Sequence, residues 1–209
     1  MNDSTSRRYH SPRRMQQAEV TRQAIVQAAR TLFAQHGYQA TTIQAIAQQA
    51  GVATPTLYAI FGSKAAILSA LIKSAGADES IRALSRAAFA EPDPWRQLSL
   101  AAQVMCAIHE HETDIEDLLW QAGGGDPDLA AVWRQSHQQQ LNRLGELVGL
   151  LAQKGALKPG LSVEMATDIL WMLGSPESYR LLARERGWAP QRYAEWLGET
   201  ASTLLLGER

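Results

Sequence analysis

The chain has 209 residues, 45% of them hydrophobic, enough for one substantial core or two small ones and too much apolar material for an intrinsically disordered protein. No apolar run approaches the ~20 residues that a membrane-spanning helix needs, and the single cysteine, Cys106, offers neither an internal disulfide nor a zinc cluster. The net charge of −1 hides an asymmetry: residues 1–74 carry eight Lys/Arg against two acids, and residues 75–209 carry twelve against nineteen, which points to a basic end that meets a polyanion and an acidic body that does not; a basic disordered tail with no partner is the alternative, since four of the eight positive charges precede Met15.

Strand signals are almost absent, and apolar residues recur at helical spacing between Gly and Pro punctuation, so an all-α fold is expected. Residues 1–16 are polar and rich in Ser and Arg and read as a flexible basic arm. Arg7, Arg8, Arg13 and Arg14 precede no apolar stretch; the segment is not a secretory signal, and a cytoplasmic protein is expected. The first helix is predicted over 19–36, with Ile25, Ala28, Ala29 and Leu32 on one face and Gly37 as its stop. A short second helix follows Thr41, which with Gln44 matches a capping box; Ile43, Ile46, Ala47 and Ala50 form its buried face, and Gly51 ends it. A third helix runs to about Phe61, with Thr54 as N-cap and Pro55 in the first helical position. Gly62 stops it, and Ser63 caps a fourth helix reaching about Ala75. Further helices are predicted near 79–90, 94–111, 113–122, 127–154, 162–173, 177–186 and 190–206. Pro92, Pro94, the glycines at 123–125, Pro127, Pro159, Pro176 and Pro190 punctuate them.

Two short helices separated by Gly51, Val52 and Ala53 form a helix-turn-helix pattern. Such a pair lets one helix span the phosphate backbone while the next offers its N-terminal residues to base edges in the major groove. The stretch 21–71 closely resembles the DNA-binding domain of the tetracycline-repressor (TetR) family. The matching pieces are Thr21-Arg22, Ile25, Ala28-Ala29, Leu32-Phe33, Gly37-Tyr38, Ala40 to Ile43, Ile46-Ala47, Ala50 to Val52, Thr56 to Tyr58, and Phe61 to Lys64. The resemblance covers about a quarter of the chain; a weaker one extends to the element Ser175, Pro176, Glu177, Ser178, Tyr179. It implies that Thr41 or Thr42 touches a phosphate, that Thr54, Pro55 and Thr56 face bases, and that Tyr58 and Lys64 bind further phosphates. Ala53, Thr54 and Pro55 depart from a common Ser, Lys, Gly pattern in the family, so base preference does not carry over. Lys64 also sits in a first helical turn, where a cation is disfavoured by about 0.3–1 kcal/mol unless an anion is present. Packing beside Leu57 is the alternative role for Tyr58, and a solvated side chain is the alternative for Lys64.

In the body, the helix near 127–154 carries a stripe of Leu129, Trp133, His137, Leu141, Leu144, Val148 and Leu151, with His137 the polar exception. The helix near 94–111 carries Leu98, Ala102, Met105 and His109. Large aromatics with a few polar groups suit a small-molecule pocket, so Met105, His109, Trp120, Trp133, His137 and Trp171 are the candidate ligand-binding residues. Ordinary core packing is the alternative for each. The last helix has Tyr193, Trp196, Leu197, Thr200 and Leu204 as a candidate dimer surface, because the resemblance implies a four-helix interface between subunits; docking within one chain is the alternative.

The expected organisation is therefore a basic arm (1–16), a three-helix helix-turn-helix DNA-binding domain (17–76) and a larger helical ligand-binding and dimerisation domain (77–209), joined through helix 4. The leading function is a homodimeric repressor released from a pseudo-palindromic DNA operator by a small hydrophobic or amphipathic ligand. Alternatives are an activator or a DNA-binding protein without ligand control. A metal-dependent helical enzyme is more remote: His109 and His111 lie two apart, so they point different ways on a helix, and no catalytic motif is present. No catalytic residue, metal, cofactor or membrane partner is expected.

Overall fold

A computed structural model of the chain describes residues 12–74, 78–121 and 127–208. These residues fall into two compact units, one ending at Leu71 and the other beginning at Ile72. Among the described residues there is no strand, and no single helix is long and apolar enough to cross a membrane.

The first unit contains α1 (Pro12–Ala40), α2 (Ile43–Gln49), α3 (Thr54–Phe61) and most of α4 (Lys64–Ile72). Of the arm expected over 1–16, residues 1–11 lie outside the described residues and residues 12–16 are helical. Gly37 breaks α1 where a stop is expected, with φ 75°. Ile25, Ala29, Phe33, Ile46, Ala47, Leu57, Ile67 and Leu68 are fully enclosed and form the core. The apolar residues of α1 and of three short helices thus meet in one small core, which is what gives helices as short as α2, α3 and α4 their stability.

Two caps differ by one residue from expectation. Thr42, not Thr41, is the N-cap of α2, accepting from Ala45 N at 3.1 Å. Thr41 turns inward instead and donates its hydroxyl to Gly37 O (2.8 Å) and Leu32 O (3.2 Å), closing the end of α1. Ala53, not Thr54, is the N-cap of α3, and no side chain caps that helix end.

The second unit contains the end of α4, α5 (Glu79–Ala90), α6 (Pro94–Gln121), α7 (Pro127–Gln153), α8 (Val163–Leu173), α9 (Pro176–Tyr179), a π-helical continuation (Arg180–Glu185) and α10 (Pro190–Leu205). Asp78 caps α5, accepting from Ser80 N and Ile81 N. Hydrogen bonds from the Ser80 side chain and from those two amides hold its carboxyl below the ordinary range. The two helices expected at 94–111 and 113–122 are one. No Gly or Pro interrupts the join, and Thr113 Oγ1 bonds back to His109 O at 2.8 Å without breaking the helix.

The core of this unit lies between α6, α7, α8 and α10, around Leu98, Met105, Val148, Leu151, Leu170, Tyr193 and Leu197. α10 approaches α6 closely: a Cβ at Gly198 would stand 3.2 Å from Ser99 Cα. An isolated antiparallel bridge, Leu157 to Leu206, ties the loop after α7 to the end of α10, and Lys158 Nζ donates to Thr203 O there. Cys106 is buried and its thiol donates to Pro190 O at 3.3 Å; burial, helped by the charge of Glu110, pushes its pKa up to about 11.

This packing corrects two of the expected dimer residues. Tyr193 and Leu197 are 0% exposed within a single chain, because that face of α10 is spent on α6 and α8. Tyr193 also donates its hydroxyl to Leu173 O. Trp196 and Thr200 are half-buried and Leu204 is exposed.

Candidate functional site

The first site is the outer face of the helix-turn-helix. Gly51, at φ 68°, takes the left-handed conformation that a side chain resists, and Val52 N then bonds Ala47 O at 3.0 Å, closing the end of α2. Leu57 is the buried anchor of α3. With that one side chain inward, Pro55, Thr56, Tyr58 and Ala59 are exposed and Thr54 is half-buried. The packing alternative for Tyr58 fails, since 48% of the residue is exposed. Gly62, at φ 75°, ends α3, and Ser63 Oγ accepts from Ala66 N at the start of α4.

Thr42 is exposed and holds its hydroxyl at the start of α2. Thr41 is only 3% exposed and its hydroxyl is directed into the fold, so it is removed from the phosphate-contact set. Lys64 has a different partner set from the one expected. Its ammonium donates to Tyr38 O at 2.6 Å and Thr41 O at 3.0 Å and lies 4.2 Å from the centre of the Tyr38 ring. The cation that is misplaced for its own helix is thereby placed well for the carbonyls at the end of α1. Lys64 pins the α1–α2 corner, and this role is one that periodicity cannot show.

The second site is a cavity of about 680 Å³ inside the C-terminal unit. Its walls come from Ile72 at the end of α4 and Lys73 just beyond it, α5 (Arg82, Ser85, Ala88, Phe89), α6, α7 and Pro176. From α6 come Val104, Met105, Ile108, His109 and Glu112, among others; from α7 come Trp133, Ser136, His137, Gln140, Arg143, Leu144 and Leu147. Four of the six candidate ligand residues therefore line one cavity: Met105, His109, Trp133 and His137. Trp171 is not a lining residue but meets the His137 ring edge-on at 5.9 Å. The Trp120 side chain lies outside the described residues.

The two histidines are held differently. His109 is 2% exposed; its Nε2 lies 3.0 Å from Gly174 O, and its ring stacks on Tyr179 at 5.0 Å. A carbonyl only accepts, so Nε2 is the protonated nitrogen. In His137 it is Nδ1 that donates, to Trp133 O at 3.0 Å, and the ring leans on that indole at 3.8 Å between centres. Gly174 is fixed by sterics, since a Cβ there would stand 2.3 Å from Met105 Sδ. The His109–Gly174 bond thus ties the cavity wall to the α8–α9 junction. Sequence reasoning missed Lys73, Arg82, Phe89, Ile108 and Arg143. The apolar ones continue the helical faces already recognised, whereas exposed cations on amphipathic helices carry no such signal. Among the described residues, no group of three His, Cys, Asp or Glu side chains could hold a metal ion.

Residues 25–71 match the model of the family described as bacterial regulatory proteins, tetR family. The HTH-type transcriptional regulator UidR of Escherichia coli K12 is 25% identical over 158 residues, covering 74% of this chain and 78% of its own length. Among solved structures, NalD of Pseudomonas aeruginosa, the secondary repressor of the MexAB-OprM multidrug efflux pump, shares the fold with a TM-score of 0.71 and 23% identity. That likeness covers 93% of this chain and all of the other. The transcriptional regulator FadR of Bacillus subtilis, crystallised with stearoyl-CoA, superposes with a TM-score of 0.70 at 21% identity, covering 87% of this chain and 97% of that one.

Proposed function

The chain belongs to the TetR family of transcriptional regulators, and from that premise we propose that it is a homodimeric, cytoplasmic repressor released from a pseudo-palindromic operator by a small ligand in the α4–α7 cavity. The carrying observation is the pairing of an outward-facing, uncharged α3 surface with a separate cavity large enough for a drug-sized molecule. Thr54, Pro55 and Thr56 offer few strong hydrogen-bonding groups, so discrimination rests on thymine methyls, DNA shape and the spacing of two recognition helices. Tyr58 and Thr42 supply backbone-positioning contacts, and Lys64 holds the framework on which they sit.

The dimer surface proposed here uses α8 and α10. Met165 and Met172 lie one heptad apart on α8 and are 55% and 58% exposed, with Ile169 half-buried between them. On α10, Trp196, Thr200 and Leu204 follow one another at four-residue spacing. Two apolar stripes on adjacent C-terminal helices suit a bundle with a second copy. The crystal structure of FadR in complex with stearoyl-CoA, a protein of the same fold, supports an amphipathic ligand for this chain. Release requires that ligand and DNA favour different states, a coupling of about 1–3 kcal/mol. α4 is the natural carrier, since one helix includes both Lys64 and the cavity residue Ile72. No catalytic step is assigned to the chain.

An anisotropy titration of duplex DNA from upstream of the gene tests this reading. Two chains per duplex, with affinity falling steeply between 50 and 200 mM salt, is expected from phosphate neutralisation. Binding by a single chain, or none that distinguishes this duplex from a scrambled one, overturns it.

A further inference from the structure

Building on the ligand-gated reading above, we propose that the cavity selects an organic anion: an apolar, partly aromatic body bearing one carboxylate or sulfonate, held near Lys73 and Arg143. Size and shape set the first limit. A cavity of about 680 Å³ falls in the range that encloses drug-sized ligands, and Val104, Met105, Ile108, Leu144 and Leu147 give it an apolar wall. Trp133 and Phe89 add flat aromatic surface.

Charge sets the second. Among the described residues, Lys73 just beyond α4, Arg82 of α5 and Arg143 of α7 line the cavity with one carboxylate, Glu112. This runs against the composition of residues 75–209, which carry twelve Lys/Arg and nineteen acids. Arg82 is already paired with Glu79 at 2.8 Å. No ion pair involves Lys73 or Arg143 among the described residues, and both are exposed residues of the cavity lining, so their charge is available to a ligand that enters. A cationic ligand would meet the like charges of Lys73 and Arg143; an anionic one gains a guanidinium that can bind a planar anion in two places. Ser136, Gln139, Gln140 and Asn142 supply neutral partners for its remaining lone pairs.

A matched pair of dyes reads this directly. 8-Anilinonaphthalene-1-sulfonate and N-phenyl-1-naphthylamine share one aromatic body and differ by the sulfonate. The full chain is expected to bind one sulfonate dye per chain, about tenfold more tightly than the neutral dye, with the preference shrinking as salt rises. The double variant Lys73→Gln/Arg143→Gln, which changes only exposed side chains, is expected to lose that preference while keeping its affinity for the neutral dye. Leu147→Trp, which fills the cavity, is expected to abolish binding of both. Equal affinities, a preference that survives the double variant, or sulfonate binding that survives Leu147→Trp each overturn the proposal. The duplex titration is independent: DNA binding without dye preference sinks only the anion, and dye preference without DNA binding sinks only the repressor.

Discussion

The two units are built from the same material and use it in opposite ways. In the N-terminal unit the short helices are anchored by a few fully buried residues: Leu57 in α3, and Ile46 and Ala47 in α2. What α3 leaves outside, Pro55, Thr56, Tyr58 and Ala59, is uncharged, a surface that can lie against another molecule. In the C-terminal unit α6 and α7 are about three times as long as α2, α3 or α4, and part of their apolar surface faces not other helices but an open cavity. The contrast teaches where to look for function. The first unit presents its candidate site on its outside; the second keeps a cavity and has its candidate site within.

Mutations should break this contrast in order of size. Leu57→Ala is the most severe: removing a fully buried anchor in a small core costs about 2–5 kcal/mol, so urea unfolding should show the N-terminal unit lost and duplex binding with it. Gly174→Ala comes next. A methyl cannot sit 2.3 Å from Met105 Sδ, so the α8–α9 junction or the cavity wall must shift, at about 1–3 kcal/mol by thermal unfolding. Its effect on dye binding should exceed its effect on duplex affinity measured without ligand.

Lys64→Gln sharpens the comparison. If the ammonium chiefly pins the α1–α2 corner, stability falls by about 1–3 kcal/mol while the slope of log affinity against log salt stays unchanged. A lysine that neutralised a phosphate would lower that slope by about 0.9.

The smallest effect concerns Cys106. Its thiol pKa is raised by burial to about 11 from an unfolded value near 9.0, so the neutral thiol is the form the fold favours. The associated stability is complete below pH 9 and is lost as pH climbs towards 11. At pH 8 the native chain should resist alkylation by iodoacetamide, with reaction appearing on unfolding.

Much of this was legible before any coordinates, for identifiable reasons. Gly51, Gly62, Pro94 and Pro190 punctuate the chain locally, and local signals place helices well. The places that misled all depend on neighbours distant in sequence. Thr41 and Thr42 are equally good caps; what separates them is that Thr41 fits under the end of α1. Tyr193 and Leu197 look like a surface awaiting a partner until Gly198 lets α10 settle on α6 of the same chain. The aromatic side of the cavity showed in the stripe through Trp133 and His137. The charged side did not, because Lys73, Arg82 and Arg143 come to line one cavity only when α5, α7 and the residue after α4 are brought together.

The division of labour between the units is tested most directly by hydrogen–deuterium exchange on the full chain, free and bound to duplex from upstream of its gene. New protection is expected in residues 42–64, with the lining segments of α5 and α7 gaining none. Protection confined to α5–α7, or no change in residues 42–64 on a duplex that demonstrably binds, would contradict it.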